Sequence, residues 1–211
     1  FCVTDGIVYQ TLISGGTLYV GGRFTYAGPP TGGFAALDPA SGVRRTGVPY
    51  VDGTVYAIES DGSGGWYVGG LFTTVAGVPR RNLAHVRADG TLDAWDPSPN
   101  SIVYALSRDG GSLYVGGSFT TIAGATRSRL AVIDVLSGLP TAWNPNVGGT
   151  VNAIDLSDST VIVGGGFTSI GGLSRSYLGA ASRTTGAPTS WNPNPNGTVN
   201  TVVANGSVIY V

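Results

Sequence analysis

"LYVGGSFT", Leu113–Thr120, decides how the chain is read, because the chain writes it four times. The other copies are "LYVGGRFT" at Leu18–Thr25, "WYVGGLFT" at Trp66–Thr73 and "VIVGGGFT" at Val161–Thr168. Their phenylalanines, Phe24, Phe72, Phe119 and Phe167, are spaced by 48, 47 and 48 residues. A second motif keeps the same phase: "AWDPSPN" from Ala94, "AWNPNVG" from Ala142 and "SWNPNPN" from Ser190, with Trp95, Trp143 and Trp191 each 48 apart. A third motif precedes the first: "GTVYAIE" from Gly53, "SIVYALS" from Ser101, "GTVNAID" from Gly149 and "GTVNTVV" from Gly197. A fixed period of this length is the signature of a repeat architecture.

The unit 149–196 can be parsed directly. "TVNAIDLS" is a run of β-favouring residues, "DS" turns the chain, and "TVIVGGGFT" forms a second strand. A loop, "SIGGLSRS", follows, then a third strand, "YLGAASR". "TTGA" turns again and "PTSWNPN" gives a short fourth strand, halted by proline. Near the end, Asn205–Gly206 reads as a type I′ hairpin turn. Four short strands per ~48 residues describe a propeller blade.

The expected fold is therefore all-β: one β-propeller domain over 1–211, with four-stranded blades near 6–52, 53–100, 101–148 and 149–196 and a partial blade at 197–211. The chain is expected to be a segment of a larger propeller, or to be completed by a neighbour. The glycine doublet lets strands approach closely or bulge. Phe24, Phe72, Phe119 and Phe167 are expected to fill the space between blades, with Trp95, Trp143 and Trp191 capping it. The first unit differs. It has "RRTGVPYVDG" where the others have the tryptophan motif, and its loop "YAGPPTGG" lacks the arginine found at Arg80, Arg127 and Arg175.

The text "LYVGGSFTTIAGATRSRLAVIDVLSGLPTAWNPNVGGTVNAI", Leu113–Ile154, resembles the delta-60 family of β-propeller repeats. The resemblance runs from about Gly6 to Val211 and rests on three motifs in fixed order and phase. It extends to the fungal cortical-marker propellers, with their similar "YVGGxFT" strands. Kelch repeats share a glycine doublet, but here phenylalanine follows closely and tryptophan lies far downstream. The resemblance implies large secreted or surface-attached bacterial proteins, a blade architecture and an extracellular or cell-envelope setting. It carries no agreed catalytic residues.

Composition narrows the function further. Charged residues make up 11% of the chain, against about 25% in ordinary soluble domains. Every basic residue is arginine, and the formal net charge is −1. Without a basic stripe, nucleic acid is not an expected partner. No apolar stretch approaches the ~20 residues of a membrane span, and no signal peptide is visible. Cys2 is the only cysteine, read as a small apolar residue near an end.

Catalytic constellations are not found. His85 is the only histidine, and its equivalents are Ala36, Val132 and Ala180, so it reads as structural or solvent-facing. No clustered zinc ligands or calcium loop appear, and no metal or cofactor is expected. "DGSGG" from Asp61 reads as a hairpin turn. Asp89, Asp93 and Asp96 surround Trp95 but fit hydrogen-bonding caps better than paired catalytic carboxylates.

Two recurring features are candidate sites. One is a loop face carrying Arg80, Arg127 and Arg175 beside Asn144, Asn146, Asn192 and Asn194. The alternative for these arginines is hydrogen bonding to carbonyls between blades. The other is the innermost strand, where Tyr9, Tyr56, Tyr104, Asn152 and Asn200 are equivalent and either line an axial channel or pack between blades. The expected function is a non-catalytic extracellular or cell-surface scaffold, a component of a larger envelope or filament assembly. Its partner is a protein or another copy of itself, with a glycan as a further ligand. The alternative is a segment of a secreted carbohydrate-active or oxidative enzyme whose active residues lie elsewhere.

Overall fold

A computed structural model describes residues 4–27 and 30–211. Cys2 and part of the first loop, Gly28 and Pro29, lie outside the described residues. The strands fall into two compact units, 1–98 and 99–211. No helix occurs among the described residues, so none is long and apolar enough to cross a membrane.

In the first unit, β1 (Ile7–Ser14), β2 (Thr17–Arg23) and β3 (Phe34–Leu37) form one antiparallel sheet in that order. β4 (Val51–Ser60) and β5 (Trp66–Val75) begin the next, with β6 (Val78–Pro79) and β7 (Leu83–Val86) both paired to β5. In the second unit, β8 (Val103–Asp109), β9 (Ser112–Gly117) and β12 (Leu130–Asp134) form a sheet, with the small hairpin β10 (Thr121–Ile122) and β11 (Ala125–Thr126) between them in sequence. The next sheet repeats this with β13 (Val151–Leu156), β14 (Thr160–Gly165) and β17 (Leu178–Ser182), and with β15 (Ser169–Ile170) and β16 (Leu173–Ser174) as the small hairpin. A last hairpin joins β18 (Val203–Asn205) to β19 (Val208–Tyr210).

Three details depart from the expectation. The fourth strand of each blade is a single antiparallel bridge: Leu37–Arg44, Val86–Leu92, Ile133–Pro140 and Ala181–Pro188. Pro140 and Pro188 have no N–H to give, so pairing stops there. The stretch after "GGFT" is a tight hairpin instead of a loop. Its central residues, Ala76–Gly77, Ala123–Gly124 and Gly171–Gly172, all have positive φ, as a type I′ turn requires. In the last hairpin Asn205 pairs with Val208, which leaves Gly206 as the first central residue, with φ of 59°. Ser207 follows without a positive φ, the pattern of a type II′ turn instead of type I′.

The glycine doublets explain how adjacent sheets meet. The second glycine lies against the innermost strand: a Cβ on Gly22, Gly70, Gly117 or Gly165 would come within 2.2 Å of the carbonyl oxygen of Ile7, Thr54, Ile102 or Thr150. The first glycine makes a notch for the next blade. A Cβ on Gly21 would strike Val55 and Ile58, one on Gly116 would strike Val151 and Ile154, and one on Gly164 would strike Val199 and Val202. A Val/Ile or Val/Val knob thus enters the notch three times. Each core accordingly draws on two sheets: Tyr19 and Phe34 join Val55 and Phe72, while Leu130 and Val132 join Val151 and Phe167. Phe24, Phe72, Phe119 and Phe167 are all buried.

Candidate functional site

Four innermost strands carry a β-bulge at the same place, and β4 has a second register shift between Asp52 and Gly53. The register shifts between Val8 and Gln10, Val55 and Ala57, Val103 and Ala105, and Val151 and Ala153. The residues skipped are Tyr9, Tyr56, Tyr104 and Asn152, four of the five inner-strand candidates. Each bulge faces a glycine doublet, so the bulge sits in the partner of the glycine strand. A bulge re-aims the side chain it carries, and Tyr9 and Asn152 reach toward the neighbouring blade. The rings of Tyr9 and Tyr56 are 4.8 Å apart. Asn152 Nδ2 donates to Asn200 Oδ1 at 3.2 Å and to the Val199 carbonyl at 3.4 Å. Tyr104 is half-buried. Beside this row, the Gln10 side chain clamps the Ile58 backbone, donating to its carbonyl at 3.2 Å and accepting from its N–H at 3.0 Å. Asp155 Oδ2 accepts from the Ala204 N–H at 2.6 Å. Both clamps escape a reading based on repeated motifs, because the positions equivalent to Gln10 are alanines at Ala57, Ala105 and Ala153, and those equivalent to Asp155 vary between Leu12, Glu59 and Ser107.

The arginines are staples. Arg80, Arg127 and Arg175 each donate through Nη1 to the carbonyl of the preceding residue, at 2.7–2.8 Å. Through Nη2 each reaches a carbonyl in the closing segment of the same blade: Asp93 at 2.7 Å, Thr141 at 2.6 Å and Thr189 at 2.6 Å. The alternative considered for them is thus corrected in one respect: the carbonyls lie within one blade instead of between blades. The reason is local, since the return limb of the small hairpin already lies over its own blade's outer segment. Their Nε atoms are buried and take no hydrogen-bond partner among the described residues.

Asn144, Asn146, Asn192 and Asn194 are exposed. Ser98, Asn146 and Asn194 have φ between 44° and 51°, a left-handed turn that asparagine tolerates better than most residues. In the second unit this turn docks on the next small hairpin, where Gly171 N–H donates to the Pro145 carbonyl at 2.7 Å.

Trp143 caps an interface as well as packing: its Nε1 donates to the Ser182 carbonyl of the following blade at 2.8 Å, and its ring meets Tyr114 edge-on at 5.7 Å. Trp95 is buried 5.2 Å from the ring of Tyr67. Trp191 is half-buried.

His85 is held between two carboxylates. Its Nε2 lies 3.1 Å from Asp61 Oδ2 and its Nδ1 lies 3.4 Å from Asp93 Oδ2, with the ring stacked on Tyr67 at 4.5 Å. Asp61 also closes the "DGSGG" turn by accepting from the N–H groups of Ser63 and Gly65. Burial pushes its carboxyl up, but the bonds from Ser63, His85 and Gly65 outweigh this and hold it below the usual value. Among the described residues, no group of three or more His, Cys, Asp or Glu side chains could hold a metal ion.

Antiparallel sheets that follow one another along the chain, packed within each unit through glycine notches at Gly21, Gly116 and Gly164, define the fold as a β-propeller. The family described as a β-propeller domain of unknown function (DUF5122) matches residues 59–94 and 111–131. The fold is similar to that of the computationally designed Ika8 protein, with a TM-score of 0.65 at 13% identity, over 98% of this chain and 56% of that one. It is also similar to the designed Ika4 protein, with a TM-score of 0.55 at 14% identity, over 84% of this chain and 92% of that one. The chain therefore spans just over half the length of Ika8. At these identities the likeness concerns fold alone. Among curated proteins, none matches.

Proposed function

We propose that this chain is a non-catalytic propeller scaffold that associates with other blade-bearing protein surfaces, in an extracellular or cell-envelope assembly. One observation carries the reading. Val8 and Thr11 pair in β1–β2 as Val55 and Ile58 pair in β4–β5, and as Val151 and Ile154 pair in β13–β14. Val8 thus occupies a knob position, yet it is 41% exposed, and Ile7, Tyr9 and Ile13 beside it are 48%, 43% and 68% exposed. Exposed apolar side chains grouped on one strand are the kind of surface that marks a protein contact. The partner that fits is the same apolar face of a second copy of the chain, since the notches at Gly21, Gly116 and Gly164 are filled by the chain's own knobs. The cell-surface setting is what the resemblance to delta-60 repeats implies.

The test is association measured by sedimentation over a wide concentration range, for the wild type and Val8→Asp. The wild type is expected to self-associate through this face and the variant to sediment as a monomer of unchanged melting temperature. A wild type that stays monomeric throughout, or a variant that associates equally well, contradicts the proposal.

A further inference from the structure

The first blade departs from the repeat in several places that meet at one cavity. Thr31 makes the backbone bond that Arg80, Arg127 and Arg175 make elsewhere: its N–H donates to the Thr25 carbonyl at 3.0 Å, as Arg80 N–H does to that of Thr73. The long guanidinium staple is therefore missing from this blade. Val51 pairs with Val75 as Val147 bridges to Ile170, so Tyr50 stands where Asn146 stands later. Arg23 takes the place of Leu71, Ser118 and Gly166. The result is an open cavity of about 330 Å3 within the first unit, lined by Arg23, Thr25, Tyr50, Asp52 and Thr54 among others.

Asp52 is the most informative of these. Its counterparts in the repeat are caps. Asp5 accepts from the N–H of Thr25 at 2.8 Å and from that of Tyr26 at 3.0 Å, and Asn100 accepts from the N–H of Thr120 at 2.9 Å and from that of Thr121 at 3.1 Å. Asp52 is relieved of that task because β4 and β5 continue to pair past it, with Asp52 opposite Thr74. Its carboxylate is exposed at the cavity and takes no hydrogen bond from the described residues. The side chains of Arg23 and Tyr50 likewise make none, and Tyr50 is 45% exposed.

We infer that this cavity is a binding site for a neutral saccharide. The ligand chemistry follows from the lining. An unengaged carboxylate and guanidinium supply acceptors and donors suited to neighbouring hydroxyl groups. The tyrosine ring supplies the apolar surface on which the C–H face of a pyranose packs. Asp52 and Arg23 together, with Asp5 also lining the cavity but held by Thr25 and Tyr26, leave neither a simple anion nor a simple cation well matched, while a polyol satisfies both. The volume lies at the small end of the range for ligand pockets, about 300–1,000 Å3, which suits a monosaccharide unit.

The inference deepens the reading of the chain as a binding scaffold, but it uses a different surface from the β1 knob face. Saturation-transfer NMR with a panel of neutral methyl hexopyranosides tests it on the wild type, Asp52→Ala, Tyr50→Ala and Val8→Asp. At least one glycoside is expected to receive magnetisation from the wild type and from Val8→Asp. The signal is expected to fall to background in Asp52→Ala and Tyr50→Ala, with melting temperatures unchanged. Absence of transfer to every glycoside overturns the inference, as does transfer that persists in both cavity variants. Association lost in Val8→Asp with sugar binding retained separates this site from the assembly face. Transfer to glycine, added as a zwitterionic control, in place of the sugars also overturns it.

Discussion

The first and third blades solve the same packing problem with different aromatic side chains. In the third, Trp143 closes the outer end of the interface, edge-on to Tyr114 and hydrogen-bonded to Ser182 of the next blade. In the first, Gly47 stands at the tryptophan position, two residues after Arg45, whose N–H bonds to Ala36 as that of Thr141 bonds to Val132. The missing indole is supplied from across the interface. Trp66, at the head of β5 where other blades carry Leu18, Leu113 and Val161, lies 4.5 Å from the Tyr19 ring and 5.8 Å from Phe34. Both blades keep the glycine notch unchanged, at Gly21 and at Gly116. The outer aromatic cap is exchangeable as long as volume is conserved. The notch is not, because its space is set by backbone and by the next blade's knob.

That contrast ranks the expected effects of mutation. Gly117→Ala places a methyl 2.1 Å from the Ile102 carbonyl oxygen, and backbone cannot yield there. Loss of the cooperative melting transition of residues 99–211, followed by circular dichroism and hydrogen exchange, is the expected outcome. Next comes Phe119→Ala, which removes a fully buried ring and is expected to cost about 3–5 kcal/mol in denaturant titration. Trp66→Ala should approach that range, whereas Trp66→Leu, which restores the usual residue without a tryptophan at Gly47, should fall between Trp66→Ala and the wild type. Equal stability of Trp66→Leu and wild type would break the idea of an exchanged cap.

Smaller effects test the staples and turns. Arg127→Ala removes two charge-assisted hydrogen bonds and should destabilise by about 1–3 kcal/mol, without altering self-association. The acid response should include Asp61. Its folded-state value is lowered, so its contribution is present above the ordinary carboxylate value of about 3.9 and is lost as pH falls through the lower folded value. Melting curves between neutral pH and about pH 2 should show a shallower acid decline for Asp61→Asn than for wild type.

Much of the blade was legible in the sequence because the repeat samples one structural problem several times. The spacing of Phe24, Phe72, Phe119 and Phe167 located the second strands, and each of these residues is buried. The inner-strand series from Tyr9 to Asn152 stood out as equivalent, though its bulge did not, since a bulge is a property of pairing register. Arg80, Arg127 and Arg175 drew notice as a recurring charge on a loop face. Their carbonyl partners lie 13 or 14 residues downstream, at positions with no side-chain signature. Asp52 was hidden for the opposite reason. It looks like another cap in the sequence, and only the continued pairing of β4 with β5 releases it.

The most direct test of the account is a double-mutant cycle between Gly116 and Val151. A Cβ on Gly116 would sit 2.7 Å from Val151 Cγ1, so Gly116→Ala alone should cost about 1–3 kcal/mol by overpacking. Val151→Ala alone should also destabilise, by emptying the notch. The pair together should be more stable than the sum of the two changes, by at least about 0.5 kcal/mol, because the new methyl fills space the valine gives up. Additive costs would mean that the two residues do not share one notch, and would contradict the knob-and-notch account of how the blades join.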